Sequence, residues 1–416
     1  MPNPSTGLSM ADEALKKAVA SARSPRSDGG GIDWLGRVRA LAPQIAAAAA
    51  EIEHERRLPA RLVAELQASG MFSLLVPHAF NGAELDPPSF ISILEAVAAI
   101  DASTAWCLGQ NNVCGSSAAF LPAHAAREIF GGAPQAILAW GAGFAGRAAA
   151  VPGGYRVTGK WSFASGVRHA TWIGAHCIVT EEDGRERLGP GGKAVTRTML
   201  FPASQTTLQD IWHVIGLRGT GSDSYAIENL FVPEDHSLAR DDPADRHHEG
   251  PLYHYSSSAL FGPGFAGVAL GIARAMLDAL IGLAMEKTPR GLDNPMRLSP
   301  VSQYEIAETE ARLRAARMYL LGTAGEVWQE VVRADRLTLE QRIAIRLATT
   351  YVIREATQVA DFAYSRAGAT AIFETSPFER RFRDIHAVAQ QVQGRGSHFE
   401  TVGRFLFGEE PDLLFV

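Results

Sequence analysis

A chain of 416 residues, 46% hydrophobic and 20% charged, has ordinary globular usage and the length for two or three domains. Its formal net charge of -6 offers no basic field for nucleic acid or an anionic membrane. Cys107, Cys114 and Cys177 are too few and too scattered for a disulfide framework or a thiolate metal cage, so a reducing cytoplasm and no structural metal are expected. No apolar run is expected to reach the ~20 residues of a membrane span. Residues 1–31, with the stretch SPRSDGGG, read as a leader outside the fold.

Trp34, Val38, Leu41, Ile45, Ala48 and Ile52 recur at helical spacing, with Pro43 as a kink or a late start. Pro59 and Gly70 bracket a second helix. Pro88 to Ile100 and Thr104 to Phe120 read as further helices, completing an all-α first domain over 32–133. Strands and turns are expected over 134–245. In GGYRVTGKWSFASG, Tyr155, Val157, Trp161 and Phe163 fall on one side and Arg156, Thr158, Lys160 and Ser162 on the other, and the strand ends at Ser165-Gly166. A Gly-rich turn, GLRGTGSDS, leads into a strand from Tyr225 to Val232 that Pro233 stops. Helical periodicity returns over 246–416. Leu252 to Lys287, the Leu313 to Val331 stripe, the Ile345 to Ala363 stripe and Arg380 to Phe407 predict an antiparallel four-helix bundle.

These motifs resemble the central β-domain of the acyl-CoA dehydrogenase superfamily, and more closely its flavin-dependent monooxygenase branch, whose pattern is a GGY strand, W-x-F-x-S-G and then G-x-R-G-T-G-S. GMFSLLVPHAFNGAEL, EAVAAIDASTAW and AGATAIFETSPFERRFRD resemble further segments in the family's order, although its usual Gly-Gly appears here as Asn81-Gly82. The resemblance spans about Trp34 to Phe407. It implies an α+β, mostly α fold, with an N-terminal helical domain, a middle β-barrel domain and a C-terminal four-helix bundle. It also implies a small-molecule substrate, oxygen as co-substrate, and a C4a-hydroperoxide formed from FMNH2 or FADH2. The chain has no nicotinamide-binding motif, so a separate NAD(P)H:flavin reductase is the expected partner. A homotetramer built by bundle-to-bundle packing is expected from the Ala- and Gly-rich stretches Gly264 to Met285 and Tyr351 to Tyr364.

Residue by residue, the resemblance carries a flavin-bonding hydroxyl onto Ser165, with Phe163 and Trp161 as aromatic walls. It brings Trp140, Trp212 and Arg218 near the flavin or substrate, and makes Arg290 a phosphate ligand. By themselves Ser165-Gly166 reads first as a turn over barrel-core aromatics and GLRGTGSDS reads as a ligand-free hairpin loop, while Arg290 reads equally as a solvated charge. Arg290 is followed by Gly291-Leu292-Asp293 rather than the usual pattern, which leaves FMN and FAD equally open.

No carboxylate occurs between Asp384 and Glu400, so an acyl-CoA dehydrogenase would need a relocated base; that reading is the alternative, with a DNA-binding or flavin-free homologue behind it. The family's phenol hydroxylases place histidines where this chain has Gln391 and Cys114. Gln391 hydrogen-bonds but does not titrate, and Cys114 reads as a small buried hydrophobe. His386 and His398 read as surface or inter-subunit residues. The missing histidines favour a substrate already nucleophilic without a base: a heteroatom or a non-phenolic compound.

Overall fold

Val38, Leu41, Ile45, Ala48 and Ile52 form the buried face of α1 (Trp34–Glu55), which runs through Pro43 as one helix. The computed structural model describes residues 32–414 and 416; the expected leader, 1–31, lies outside them. Helix α2 (Ala60–Ala68) ends at Ser69 and Gly70, the latter at φ +77°. Helices α3 (Pro87–Ala98) and α4 (Ala102–Gly115) are capped by Asp86 and Asp101, whose carboxylates accept from Ser89 N and Thr104 N, both at 2.8 Å. Helix α4 is buried over almost its whole length and tightens into a 3₁₀ turn at Ser116–Phe120. Helix α5 (Ala123–Phe130) closes this layer.

Eight strands follow: β1 (Leu138–Trp140), β2 (Gly146–Val151), β3 (Gly154–Ala164), β4 (Trp172–Thr180), β5 (Thr196–Pro202), β6 (Thr207–Gln209), β7 (Asp223–Pro233) and β8 (Ser237–Leu238). They make one sheet in the order β6-β7-β3-β2-β4-β5-β8, with β1 also on β4. The inner face gathers a single core around Trp161 and Tyr225, whose rings stack at 5.2 Å. The hydrogen-bonded path runs from β6 at one end to β8 at the other around that core. Bulges interrupt the β3–β7 register between Val157 and Gly159 and between Trp161 and Ala164, and each resets the alternation of side chains.

The bundle comprises α6 (Ser257–Glu286), α7 (Pro300–Ala334), α8 (Leu339–Ala367) and α9 (Glu379–Gln390). The fourth helix does not continue to Phe407 as the sequence suggested. It stops at Gln390, passes through a 3₁₀ turn at Val392–Gly394 and restarts as α10 (Ser397–Leu406). The break falls at Gln391, whose ψ is 150°, and the turn that follows packs closely, a Cβ at Gly394 lying 2.9 Å from Ala389 O and 3.1 Å from an Ile353 methyl.

Helix α6 is long and apolar enough to cross a membrane by length and composition, contrary to the expectation that no run would be. It is the central bundle helix, and its small residues are used inside the subunit. At Gly271 a Cβ would lie 2.2 Å from Glu95 O, and at Gly267 2.8 Å from Ile91 O, so glycine lets α6 press against α3. Exposed apolar residues of the bundle include Tyr304, Met318 and Val332 on α7, 67%, 64% and 55% exposed, beside Met285 at the end of α6 and Tyr351 on α8.

Candidate active site

Ser165 lies just past the end of β3, and three segments distant in sequence meet at its hydroxyl. Trp106 Nε1 on α4 donates to Ser165 Oγ at 3.0 Å. Ser165 Oγ is 2.7 Å from Ser222 Oγ, which is 2.7 Å from Thr220 Oγ1, and Thr220 Oγ1 donates to Leu217 O at 2.9 Å. The ends of this chain fix its direction. A carbonyl only accepts, so Thr220 spends its one proton on Leu217; Ser222 must then donate to Thr220, and Ser165 to Ser222. Ser165 therefore receives the indole N–H, gives its own proton away, and keeps one lone pair free.

Apolar groups close around this chain. Phe265 on α6 stacks on Trp106 with centroids 3.7 Å apart, and Phe261 stacks on Phe265 at 5.6 Å. Ser165, Thr220 and Ser222 are all buried. On the other flank, His169 Nε2 is 3.1 Å from Asn111 Oδ1, while Asn111 Nδ2 donates to Leu138 O at 2.9 Å. Burial pulls the His169 pKa down to about 4, so the imidazole is neutral at ordinary pH.

The Gly-rich loop that carries Thr220 and Ser222 is clamped by α9. Leu217, held at φ 52°, donates its N–H to Asp384 Oδ1 at 2.6 Å. Gly216 lies so close to α9 that a Cβ would sit 2.1 Å from Arg383 O. Arg383 reaches back to Glu53 on α1, with Nη1 2.8 Å from Oε1. Asp223 fixes the loop's other end, its Oδ1 accepting from Ile211 N at 3.0 Å and Trp212 N at 3.1 Å.

Residues 36–123 match the acyl-CoA dehydrogenase N-terminal domain and residues 263–393 the acyl-CoA dehydrogenase C-terminal domain. An indole-3-acetate monooxygenase of Pseudomonas putida is 28% identical over 87% of this chain and 90% of its own. The oxygenase component of an FADH2-dependent resorcinol hydroxylase from Rhizobium sp. (strain MTP-10005) is 28% identical over 91% and 94%. The solved structure of XiaF from Streptomyces sp., in complex with FADH2 and glycerol, superposes with a TM-score of 0.84 at 26% identity, covering 92% of this chain and 96% of that one. The chain belongs to the acyl-CoA dehydrogenase superfamily, in its flavin-dependent monooxygenase branch. It is an oxidoreductase, the oxygenase component that uses reduced flavin to oxygenate a small substrate.

In this monooxygenase the aromatic residues of the W-x-F-x-S-G strand part company. Trp161 is fully buried in the sheet core and donates Nε1–H to His176 O at 2.9 Å, so it walls no cofactor surface. Phe163 does not share its side, because the bulge after Trp161 and a φ of 59° at Phe163 turn that ring outward to 65% exposure. There it meets Trp212 edge-on at 6.1 Å, and Trp212 Nε1 donates to Leu217 O at 3.0 Å. An aromatic residue in the left-handed region costs about 1–3 kcal/mol and persists only where the surroundings impose it.

Arg218 lies beside the loop, its Nε 3.7 Å from Glu53 Oε1 and buried without a hydrogen bond. Arg290 is exposed on the connection between α6 and α7 and is not brought to the Ser165 cluster. Trp140, at the end of β1, packs edge-on against His176 at 5.1 Å. Cys114 is fully buried and accepts from Gln110 Nε2 at 3.5 Å, and burial pushes its thiol far above the ordinary range, so it is no nucleophile.

Gln391 does not lie on the face of a last helix. It ends α9 with ψ 150°, and its Oε1 accepts from Gln393 N at 2.7 Å. His386 pairs with Asp361 at 3.0 Å, whereas His398 is buried, 2.7 Å from Val392 O, rather than at the surface. Trp106, Asn111, His169, Thr220, Ser222 and Asp384 were missed as site residues. The hydroxyl-rich spacing of Thr220-Gly221-Ser222, just before β7, the strand that pairs with β3, was the available signal.

Proposed function

We propose that Ser165 is the residue this monooxygenase turns toward its flavin, and that the direction of the hydroxyl chain suits it to the reduced form. The free lone pair on Ser165 Oγ accepts an N–H, and reduced flavin carries such a donor at N5 where oxidised flavin has an acceptor. Phe163 and Trp212 supply an exposed aromatic surface next to the same loop, and the orphaned Arg218 Nε supplies a donor for a flavin oxygen. Reduced flavin, when bound, provides the electrons that activate oxygen. The protein's part is to hold that flavin by Ser165, and to keep water out with Trp106, Phe265 and Phe261. The flavin is reduced FMN or FAD delivered by a separate reductase, and three free, buried cysteines suit a reducing cytoplasm.

The substrate is a small aromatic compound, as the names of the relatives suggest. A strong histidine base is missing: burial holds the His169 pKa at about 4, which makes it a weak base, and Gln391 and Cys114 stand at the family positions. An electron-rich ring that attacks without losing a proton, such as an indole, needs none. The exposed apolar face of α7, not the small residues of α6, is the surface that joins subunits into a homotetramer. The direct test mixes the protein with anaerobically reduced FMN or FAD, then with ¹⁸O₂ and a panel of indoles, phenols and thioethers. One labelled oxygen atom in a product is expected; a panel that consumes oxygen only as hydrogen peroxide with every flavin would refute the reading.

A further inference from the structure

Two consecutive residues of α9, Arg383 and Asp384, grip three consecutive residues of the Gly-rich loop. Arg383 Nη1 donates to Ile215 O, Gly216 rests on Arg383 O, and Leu217 N donates to Asp384 Oδ1 at 2.6 Å. Leu217 is buried at φ 52° and ψ 35°, and a leucine stays in this left-handed conformation only where its surroundings impose it. Asp384, itself buried, supplies the acceptor for its N–H.

The carbonyl of the same residue governs the site. Leu217 O accepts from Thr220 Oγ1 at 2.9 Å and from Trp212 Nε1 at 3.0 Å, so it both ends the hydroxyl chain and holds the indole that meets Phe163. The N–H and C=O of one residue are separated only by φ and ψ, and an N–H held in a left-handed turn fixes where the carbonyl points. With Leu217 O in place, protons run from Ser165 to Ser222, from Ser222 to Thr220, and from Thr220 to the carbonyl. With that carbonyl turned away, Thr220 would keep a buried proton whose remaining acceptor is Ser222 Oγ, 2.7 Å away, and the chain would reverse. Ser165 would then receive from both Trp106 and Ser222, and its own proton would point out of the chain.

We propose that Asp384 is a positioning residue that sets which redox form of the flavin Ser165 selects. By holding Leu217 it keeps Ser165 an acceptor, matched to the N5–H of reduced flavin. Without it Ser165 becomes a donor, matched to the bare N5 of oxidised flavin. The assignment deepens the function proposed above and rests on it.

The test compares dissociation constants of reduced and oxidised FMN and FAD, measured anaerobically by calorimetry on the full chain. Wild type should bind the reduced form more tightly. Asp384→Ala should weaken the reduced form roughly 2- to 13-fold and tighten the oxidised form by a similar factor, while Asp384→Asn, which keeps an acceptor, should hold the wild-type ratio. Thr220→Val removes the last hydroxyl of the chain and leaves α9 untouched; it should reproduce the Asp384→Ala ratio, and the double variant should add nothing to it. Where Asp384→Ala does not fold, Asp384→Ser, too short to reach Leu217 N, takes its place. Equal losses on both redox forms would mark a purely structural role and overturn the assignment. So would an unchanged ratio in Asp384→Ala or Thr220→Val, or an Asp384→Asn ratio that falls as far as that of Asp384→Ala. Failure of the oxygenase reading is separable: wild type would then bind no reduced flavin at all, and both would fall.

Discussion

Trp106 Nε1 and Ser165 Oγ are 3.0 Å apart, a hydrogen bond that joins α4 to the end of β3 and occupies one of the two lone pairs on a hydroxyl whose proton goes to Ser222. Without the indole donor, Ser165 would be free to receive from elsewhere, and its remaining lone pair would no longer be unique.

If Ser165 bonds the flavin as proposed, Ser165→Ala removes that hydrogen bond and leaves the Trp106 N–H buried without an acceptor. The ratio of hydrogen peroxide to product should rise roughly 2- to 13-fold, and stability should fall by about 1–3 kcal/mol. Adding Trp106→Phe removes the orphaned donor, so the double variant should regain stability without regaining coupling. Measuring denaturant midpoints and peroxide yield for all four proteins decides it; additive stability losses would show that the bond is not the link.

Asp384 supports the loop through Leu217, and burial raises its carboxyl to about 7 although the Leu217 N–H opposes the shift. The folded chain then keeps a proton that the unfolded chain loses near its ordinary value of about 3.9. Its contribution to stability is therefore complete below about pH 4 and is lost as pH rises through 7. Asp384→Asn keeps an acceptor for Leu217 and removes the charge. Melting temperatures of the variant and wild type should agree near pH 4 and separate in the variant's favour by pH 8. A difference independent of pH would contradict this.

Cys114 should be chemically silent. Native protein treated with iodoacetamide at pH 8 should stay unlabelled there, with labelling appearing only on unfolding, and Cys114→Ala should keep product formation within about twofold. Rapid native labelling that also abolishes turnover would restore Cys114 to the catalytic set.

On α7, Tyr304 and Met318 are exposed apolar side chains that a homotetramer would cover. Tyr304→Lys with Met318→Lys should shift the light-scattering mass from tetramer to smaller species while leaving the circular dichroism unchanged. A wild-type protein that is active as a monomer would dismiss the assembly.

The order of helices, strands and helices was legible because apolar periodicity is a local property: the buried stripe of α1 and the stripes of α7 and α8 are all written at 3.6-residue spacing. The strand that leads to Ser165 was legible as well, because its aromatics and the Ser-Gly stop are contiguous. What surrounds Ser165 was not. Trp106, Ser222 and Asp384 lie 59, 57 and 219 residues from it in the numbering, and no local pattern records that α4, the Gly-rich loop and α9 converge. Phe163 was assigned to the wrong side because a bulge and one positive φ reset the alternation, and Gln391 to a helix because the backbone turns extended at Gln391 with no local signal for it. Periodicity survives in the sequence because each residue meets its neighbours on the same element. The direction of a hydrogen-bond chain exists only once tertiary packing has brought its donor and its final acceptor to opposite ends, and here that packing, not the sequence motif, leaves Ser165 with the one lone pair to offer.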